Sequence, residues 1–488
     1  MTIDEEGAVT MHEHHAATAQ EDGVMTRSEA SAPMPSAVAG SPPRDAATVP
    51  GPRPAAGASA GGSTRARARR GANSTRRNLG RSVPVVVVAA ALLAACGSGA
   101  ASSGSTTTTR PPVSSTTTTT TAGGSGGPGS GGAAVTYGID VNQFDNDIGP
   151  ARVPQVLGLI EKAGARAVRI GGVWASAEPQ PGHFDWSGVD KIFSLAAQDH
   201  LTVLFEMGNE PAWDAPGGNT NAPPVDCTSP TASCASVDQY VRALVSHAAG
   251  EGLRYLIARN EPQNFDKNWV GGTAGAYARF QQVVYQAAHA VDPQIQVLNG
   301  GTEQASAALE QIEAQLQPPT PYAQQAAAFA HDLYTNPAWC DSIDVLDVHV
   351  GDHGPRYSPE VVDDSEAALE SCNGGRHLPV WVTEVGYTSI PALQDWSVYR
   401  SLFGSQYEGG ETGQAAFLTD TLTALAKDPN VIGIDWTFMI DPNQGDTLPP
   451  GMSDHQAVTE GAGAGLATAN YQTKASYQAF ENVAAAHQ

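Results

Sequence analysis

The chain of 488 residues has few cysteines and few basic side chains, and its first 134 residues contain no tryptophan. Its 5 cysteines form no Cys-x-x-Cys motif and lie beside no histidine-rich stretch, so the sequence predicts no metal site. The whole chain carries 26 basic and 50 acidic side chains. Such an excess of negative charge repels nucleic acids and anionic lipid headgroups, but it does not argue against a neutral ligand. We therefore expect no nucleic acid as a partner.

The tryptophans divide the chain into two parts. All 8 lie after residue 134, and the first is Trp174, whereas residues 1–134 are rich in Ala, Gly, Ser, Thr, Pro and Arg. A segment so poor in large side chains cannot bury enough apolar surface to fold. We therefore predict one folded domain over residues 135–488, a length that is normal for an α/β barrel.

Residues 76–96 have the pattern of an export signal. Arg76 and Arg77 supply positive charge, and the apolar run 83–93 is too short to span a bilayer comfortably. The run leads into Leu-Ala-Ala-Cys96-Gly, which resembles a bacterial lipoprotein box, and the two arginines resemble a twin-arginine signal. These resemblances imply cleavage before Cys96 and a lipid on that residue. An uncleaved signal anchor is the alternative.

The segments on either side of this signal are expected to be flexible. Residues 1–75 are either a disordered N-terminal extension or the product of an over-called start site. Residues 97–134 form a Gly/Ser/Thr-rich linker. A lipid anchor followed by a linker would hold the folded domain at the outer face of the cytoplasmic membrane, on the bacterial cell surface.

Four of the cysteines follow Cys96, and an exported setting permits disulfides. Four cysteines allow three pairings. Cys227 with Cys234 would close a small loop, and Cys340 with Cys372 would join two separate chain segments. At this point the pairing stays open.

Eight short apolar runs alternate with longer amphipathic ones after residue 134. They predict strands at 137–141, 167–171, 202–207, 255–259, 295–298, 343–348, 380–383 and 432–436. Helical periodicity lies between them, clearest at 153–163, 237–249, 274–291, 322–333, 413–426 and 471–485. This alternation predicts a single (β/α)8 TIM barrel. The alternative, a doubly wound sheet, would usually carry a glycine-rich phosphate turn after its first strand, and residues 138–143 contain none.

Two of the predicted strands lead into a glutamate. One run continues as Asn260-Glu261-Pro262, and another ends at Glu384. A carboxylate at the end of a buried strand costs free energy, so it is expected to have a role. Paired carboxylates can supply the proton donor and the nucleophile that cleave a glycosidic bond. By position, Glu210 in a second Asn-Glu-Pro motif is also eligible.

The order of the motifs resembles the retaining glycoside hydrolases of clan A, most of all family 39 and then family 5. The resemblance covers residues 137–485 and includes the segments 169–174, 211–213, 347–349, 381–387 and 435–436. In that clan the acid/base glutamate follows an asparagine after strand four, and the nucleophile ends strand seven. The resemblance therefore implies that Glu261 is the acid/base and Glu384 the nucleophile, and it removes Glu210 as a candidate.

The same resemblance implies roles for two polar neighbours of these glutamates. Arg169, at the second strand, is expected to keep Glu384 ionised. Asn260 is expected to bind the 2-hydroxyl of the sugar. The negative charge of Glu384 is expected to raise the pKa of Glu261 and so help it to begin the reaction protonated. No cofactor is implied, because acid and covalent catalysis suffice.

The remaining implied substrate-binding residues are His349, Trp436, Tyr387 and Trp174. Trp436 offers a flat apolar face for a pyranose ring, although it and Trp174 could instead be core aromatics. The clan often has a tyrosine two residues after the strand-six histidine, where this chain has Gly351. Tyr357 or Tyr387 could replace that tyrosine.

The barrel topology also suggests how the cysteines pair. Cys340 precedes strand six and Cys372 follows the sixth helix, so both are expected near the lower rim of the barrel. Cys227 and Cys234 share the long loop after strand three. We predict both pairs.

Taken as a whole, the sequence predicts a monomeric retaining β-glycosidase that cleaves β-linked glycosides or polysaccharides outside the cytoplasmic membrane by double displacement. A transglycosylase that remodels envelope polysaccharide would need the same two glutamates. A non-catalytic carbohydrate-binding lipoprotein is the alternative from another class. The sugar, the linkage and the choice between exo and endo action stay open, because they depend on long loops that sequence patterns do not fold.

Overall fold

A computed structural model describes residues 134–141, 152–171, 174–265, 267–302, 321–395, 397–442 and 461–486. The chain divides into two units, Met1–Thr116 and Thr117–Gln488. In the first unit the model also describes two antiparallel strands of two residues each, Thr2–Ile3 and Val9–Thr10. The predicted signal with Cys96, and the linker up to residue 133, lie outside the described residues. Among the described helices, none is long and apolar enough to cross a membrane.

The described residues of the second unit form eight parallel strands, as predicted. They are β1 Thr136–Asp140, β2 Ala167–Ile170, β3 Thr202–Glu206, β4 Tyr255–Ile257, β5 Gln296–Leu298, β6 Leu346–Gly351, β7 Val380–Val385 and β8 Val431–Thr437. Neighbours in sequence pair from β1 to β5 and from β6 to β8, and β8 pairs with β1. The described residues of β5 and β6 meet through a parallel bridge between Leu298 and Val345. The sheet is therefore a nearly closed TIM barrel.

In the described part of the chain, eight longer helices alternate with the strands. They are α1 Val153–Lys162, α2 Ser187–Gln198, α3 Ala235–Ala248, α4 Ala274–Val291, α5 Pro321–Tyr334, α6 Gly354–Cys372, α7 Glu411–Leu425 and α8 Ala475–Ala486. Each buries an apolar face against the barrel, as Val361, Val362 and Leu369 do in α6. The helical pattern of α6 is weaker in sequence because Pro359 lies inside it, which is a signal that usually marks the end of a helix.

The interior of the barrel changes from apolar to charged along the strands. One apolar cluster combines residues of five strands with the residue that precedes β6: Ala167, Leu204, Ile257, Leu298, Trp381 and Val345. Residues two apart on a strand share a face, so Arg169 follows Ala167, Glu206 follows Leu204 and Asp347 follows Val345 on the inner side. The apolar cluster closes the lower end, and the charged residues gather toward the carboxyl ends of the strands.

Both predicted disulfides are present. Cys227–Cys234 closes a short loop before α3, with its Cα atoms 4.5 Å apart. Cys340–Cys372 joins a one-turn helix before β6 to the last residue of α6, with its Cα atoms 5.9 Å apart. The two bonds confirm the predicted pairing.

Candidate active site

Glu261 and Glu384 lie close together at the carboxyl ends of the strands. Glu384 is in β7, and Glu261 follows β4. One carboxylate oxygen of each lies within 4.8 Å of the other and of a ring nitrogen of His349. The Glu261 and Glu384 side chains are 25% and 21% exposed, so solvent and small ligands can reach both. The structure thus brings together the two residues that the sequence selected.

The backbone at Glu261 has an unusual conformation. Its φ angle is +36°, in the left-handed region that non-glycine residues rarely adopt. The Glu261 amide donates to the Gly300 carbonyl at 2.8 Å, and the Asn264 amide donates to the Glu261 carbonyl at 2.9 Å. Gly300 permits this close approach, because a Cβ atom there would lie 1.7 Å from the Arg259 carbonyl oxygen. Strained backbone of this kind tends to cluster at functional sites.

Arg169 connects the two glutamate-bearing strands. Its guanidinium is fully buried, and Nη1 contacts Glu384 Oε1 while Nη2 donates to Asn260 Oδ1. Nη1 also lies 3.3 Å from Asp140 Oδ2. Burial alone would lower the pKa of Arg169, but the charges of Asp140, Glu384 and Glu206 raise it well above its usual value. Arg169 is therefore a permanent cation beside Glu384.

Glu206 belongs to this network, and sequence reasoning missed it. Its Oε2 accepts from Arg169 Nη2 at 3.2 Å, and its Oε1 accepts from the Asn260 amide at 3.2 Å. The residue is 5% exposed, so these contacts are its main compensation for burial. The signal that identified Glu261 and Glu384 was present here as well, because Glu206 ends the apolar strand β3.

His349 lies between the two glutamates. Its Nδ1 is 2.9 Å from Glu261 Oε1, and its Nε2 is 3.5 Å from Glu384 Oε1. Burial lowers the pKa of His349, but the charge of Glu384 and the hydrogen bond to Glu261 outweigh it and raise the pKa to about 9. Gly301 packs against the ring, since a Cβ atom there would lie 1.9 Å from Nε2. At neutral pH the imidazole is therefore a cation between two carboxylates.

One electrostatic expectation is corrected by this arrangement. The sequence predicted that Glu384 would raise the pKa of Glu261. Burial does raise that pKa, but the hydrogen bond and the charge of His349, followed by the charge of Arg169 and a hydrogen bond from Asn264, outweigh burial and lower it. In the free site the proton is held by His349, hydrogen-bonded to Glu261.

The tryptophans proposed for sugar contact are core residues in this structure. Trp436 is fully buried, and its Nε1 donates to the Ala464 carbonyl at 2.9 Å, because the segment 461–467 covers the end of β8. Trp174 is also fully buried and donates to Glu178 Oε2 at 2.9 Å. A ring without exposed surface has no face to offer to a pyranose, so the core interpretation applies to both.

The two tyrosines considered as partners of the nucleophile are also buried. Tyr387 is 3% exposed and stacks on Phe417 with ring centroids 4.2 Å apart, and Tyr357 is 5% exposed in α6. The contacts that hold Glu384 come instead from Arg169 and His349. Neither tyrosine therefore takes the role that the sequence left open for it.

Glu210 does not reach the cleft. It is fully buried, and its Oε2 pairs with Arg259 Nη1. Burial raises the pKa of Glu210 to about 7 despite the charge of Arg259. Arg259 also donates from Nε to the Asn268 carbonyl at 2.8 Å. The pair supports the loop that carries Glu261.

Among the described residues, one group at this site has the spacing that a metal ion would require. The ligand atoms of Glu261, His349 and Glu384 lie close enough together to share a cation. Arg169 and the His349 imidazolium already neutralise both carboxylates, however, and a metal would have to displace at least the imidazolium proton. The arrangement of charges fits proton transfer and nucleophilic attack better than metal coordination.

Comparison with known proteins supports the fold. No family model and no curated protein matches the chain. One similar solved structure is a glycoside hydrolase of family 5, subfamily 18, from Bifidobacterium longum subsp. longum, in complex with Manβ1-4GlcNAc. It is 14% identical to this chain with a TM-score of 0.50, and the match covers 72% of this chain and 78% of that one. The likeness at this identity concerns the fold, and it agrees with the predicted (β/α)8 barrel.

Two further solved structures have lower TM-scores. A family 39 glycoside hydrolase from Bacteroides cellulosilyticus is 19% identical with a TM-score of 0.46, over 71% of this chain. This chain spans 63% of that protein's length. Xylanase 10B from Thermotoga petrophila, solved with xylobiose, is 12% identical with a TM-score of 0.46, and the match covers 72% of this chain and 94% of the xylanase.

Proposed function

We propose that this protein is a retaining glycoside hydrolase in which Glu384 is the nucleophile and Glu261 the acid/base. The observation that carries the proposal is the approach of the two carboxylates, with oxygens within 4.8 Å of each other. Retaining enzymes hold their two carboxyl groups about 5–5.5 Å apart, whereas inverting enzymes need roughly 6.5–9.5 Å to admit a water molecule. The spacing favours retention.

In the first step, Glu384 attacks the anomeric carbon. Its Oε1 is occupied by Arg169 and His349, so Oε2 is the attacking atom. The new bond from Oε2 to the carbon forms as the glycosidic bond breaks, and Glu261 gives a proton to the departing oxygen. In the second step Glu261 takes a proton from water, the water oxygen bonds to the anomeric carbon, and Glu384 is released.

The proton for the first step comes from the Glu261 and His349 pair. The pair holds one transferable proton, because the imidazolium Nδ1–H lies 2.9 Å from Glu261 Oε1. Transfer along this bond converts a carboxylate and an imidazolium into a carboxylic acid and a neutral imidazole, with no change in net charge. Strongly coupled groups of this kind titrate as a pair. Glu261 can therefore act as an acid even though its own pKa is lowered in the free site.

We expect Asn260 to recognise the sugar. Its Oδ1 accepts from Arg169 Nη2, which directs the two amide hydrogens of Nδ2 elsewhere. A hydrogen bond from this amide to the 2-hydroxyl would strengthen in the transition state. Arg169 thus orients both the nucleophile and the residue that precedes the acid/base.

For the substrate and the location we propose a β-linked saccharide and the outer face of the cytoplasmic membrane, with the protein acting as a monomer. One barrel of the same fold type, the family 5 glycoside hydrolase, was solved in complex with Manβ1-4GlcNAc, which makes mannosides the first substrates to test. The location is proposed from the lipoprotein-like pattern at Cys96. Mass spectrometry of the native protein would detect a lipid on Cys96, and Cys96→Ser should release the domain from membranes.

The test of the reaction is a panel of aryl β-glycosides and β-linked polysaccharides, combined with trapping by 2-deoxy-2-fluoro glycosides. We expect turnover of at least one sugar, with a covalent adduct on Glu384 found by peptide mass spectrometry. Glu384→Gln should lose turnover and labelling, whereas Glu370→Gln on α6 serves as the matched control and should retain both. Products longer than the substrate at high acceptor concentration would indicate transglycosylation. Equal turnover by wild type and Glu384→Gln, or saccharide binding without any product, would overturn the proposal.

A further inference from the structure

Asn264 contacts the acid/base from the side opposite the histidine. Its Nδ2 donates to Glu261 Oε2 at 2.6 Å, while Oε1 of the same carboxylate faces His349. The loop holds Asn264 firmly in place, because its backbone carbonyl accepts from the Lys267 and Asn268 amides at 2.9 and 2.7 Å. Each oxygen of Glu261 therefore has a different partner.

Tyr322 determines which way the amide of Asn264 points. Tyr322 lies in the first turn of α5, and its hydroxyl donates to Asn264 Oδ1 at 3.0 Å. The centroids of its ring and of the Phe265 ring are 5.0 Å apart. With the oxygen occupied by the tyrosine, the NH2 group faces the carboxylate. The opposite orientation would place the amide oxygen of Asn264 against a carboxylate oxygen and cost a buried hydrogen bond.

We propose that Asn264, oriented by Tyr322, is a positioning residue that decides which oxygen of Glu261 carries the catalytic proton. The inference rests on the proposed function. An oxygen that accepts from an amide does not also carry the carboxylic proton in that direction, so Oε2 remains the acceptor and Oε1 receives the proton. Oε1 is the oxygen next to His349, and the same imidazole also contacts Glu384, the nucleophile of the proposed reaction.

Loss of this contact should affect one step of the reaction selectively. Without Asn264, the contact to His349 alone restrains the terminal torsion of Glu261, so the carboxyl group can rotate and the proton can occupy either oxygen. Protonation of the leaving group then becomes less efficient, which matters for an alcohol of low acidity and hardly at all for a good leaving group. A merely structural loss would lower the rates for all leaving groups alike.

The experiment measures kcat/KM for aryl β-glycosides of one sugar whose leaving phenols range from very acidic to weakly acidic. For Asn264→Ala we expect a loss of about tenfold or more with the least acidic phenol and less than about twofold with dinitrophenol, within the 10²–10⁴ that general acid catalysis contributes. Tyr322→Phe keeps the ring and should show the same trend with a smaller amplitude. Asn268→Ala in the same loop is the matched control and should keep the wild-type dependence.

The outcomes separate this inference from the proposed function. Glu261→Ala is included as the reference for a lost acid, and its turnover of the dinitrophenyl glycoside should increase with added azide. If Glu261→Ala shows the leaving-group dependence but Asn264→Ala and Tyr322→Phe lose rate equally for all phenols, the positioning role is refuted. If Glu261→Ala shows no such dependence, the proposed function itself is wrong. Should Asn264→Ala fail to fold by circular dichroism, Tyr322→Phe decides alone.

Discussion

The replacement of His349 by glutamine tests whether the acid/base proton belongs to a pair. In the wild type, His349 holds this proton with a pKa of about 9. The alkaline limb of kcat/KM reports the loss of the essential proton from the free enzyme, so it should lie near that value. In His349→Gln, Glu261 must hold the proton by itself. Activity should then be lost at a lower pH.

The size of the shift can be worked out from another glutamate of the same chain. Glu210 is fully buried beside Arg259, and burial raises its pKa to about 7. Glu261 keeps the hydrogen bond from Asn264 and the charge of Arg169, which both lower its pKa, so the alkaline limb of the variant should lie below the wild-type limb at about 9. For a limb that moves down by about two pH units, the acid at pH 8 is about 90% protonated in the wild type and about 10% in the variant. The loss of activity at about pH 8 should therefore exceed the loss at about pH 5 by roughly tenfold or more.

The assay is a pH profile of kcat/KM with an aryl glycoside whose leaving group needs protonation. The shape of the profile carries the test, because removal of His349 also lowers the rate at every pH. The matched control is His289→Gln, which breaks a similar contact of 2.8 Å to Asp344 outside the site and should leave the profile unchanged. An alkaline limb that coincides with the wild type, or moves to higher pH, would show that Glu261 titrates independently of the histidine.

Three further predictions concern the surroundings of the site. Breaking Cys340–Cys372 should reduce the free energy of unfolding by about 4 kcal/mol, and breaking Cys227–Cys234 should reduce it by about 2 kcal/mol, because the bonds close loops with sequence separations of 32 and 7. Denaturant unfolding of serine variants measures both losses, and equal losses would contradict the loop-entropy account. Burial raises the pKa of Asp435 from 3.8 to about 8, so this group stabilises the fold fully below pH 3.8 and that stabilisation is lost as pH rises toward 8. Asp435→Asn should therefore gain melting temperature over the wild type as pH rises, by the equivalent of a few kcal/mol at about pH 8, and a pH-independent difference would refute this. Gly301→Ala should lower kcat/KM by about tenfold or more, because the added Cβ would displace His349. Gly374→Ala is the control and should leave activity unchanged, because Gly374 has a similar φ of +78° and no atom lies within 4 Å of the added Cβ.

The two glutamates were predictable because each carries a strong local signal. A charged residue at the end of a buried strand is visible in a single sequence, and the count of strands placed Glu261 after β4 and Glu384 on β7. Glu206 carries the same signal at the end of β3. The predicted strand extended to residue 207, however, so its carboxylate was counted inside the strand rather than at the barrel mouth. A correct strand end would have identified it.

Other parts of the site could not be predicted because they depend on contacts distant in sequence. Tyr322 reaches Asn264 across 58 residues, and no local pattern indicates this. The burial of Trp436 results from the segment 461–467, which packs over the end of β8. The sequence pattern shows that a tryptophan ends a strand, but only the path of a later loop decides whether the ring faces a ligand or the core.

The charge balance inside the barrel explains why two cations are needed to hold two catalytic carboxylates. Asp140, Glu206, Asp347, Asp435 and Glu384 all surround Arg169 or its immediate neighbours, and one guanidinium cannot neutralise them all. Burial raises the pKa values of Asp347 and Asp435, so the deepest carboxyl groups can release their charge by taking up protons. Asp140 and Glu206 still contact Arg169, so its charge is shared among several carboxylates. His349 supplies the second positive charge between Glu384 and Glu261. Each cation touches both sides of the cleft, so the spacing that favours retention depends on the cations as much as on the strands that carry the glutamates.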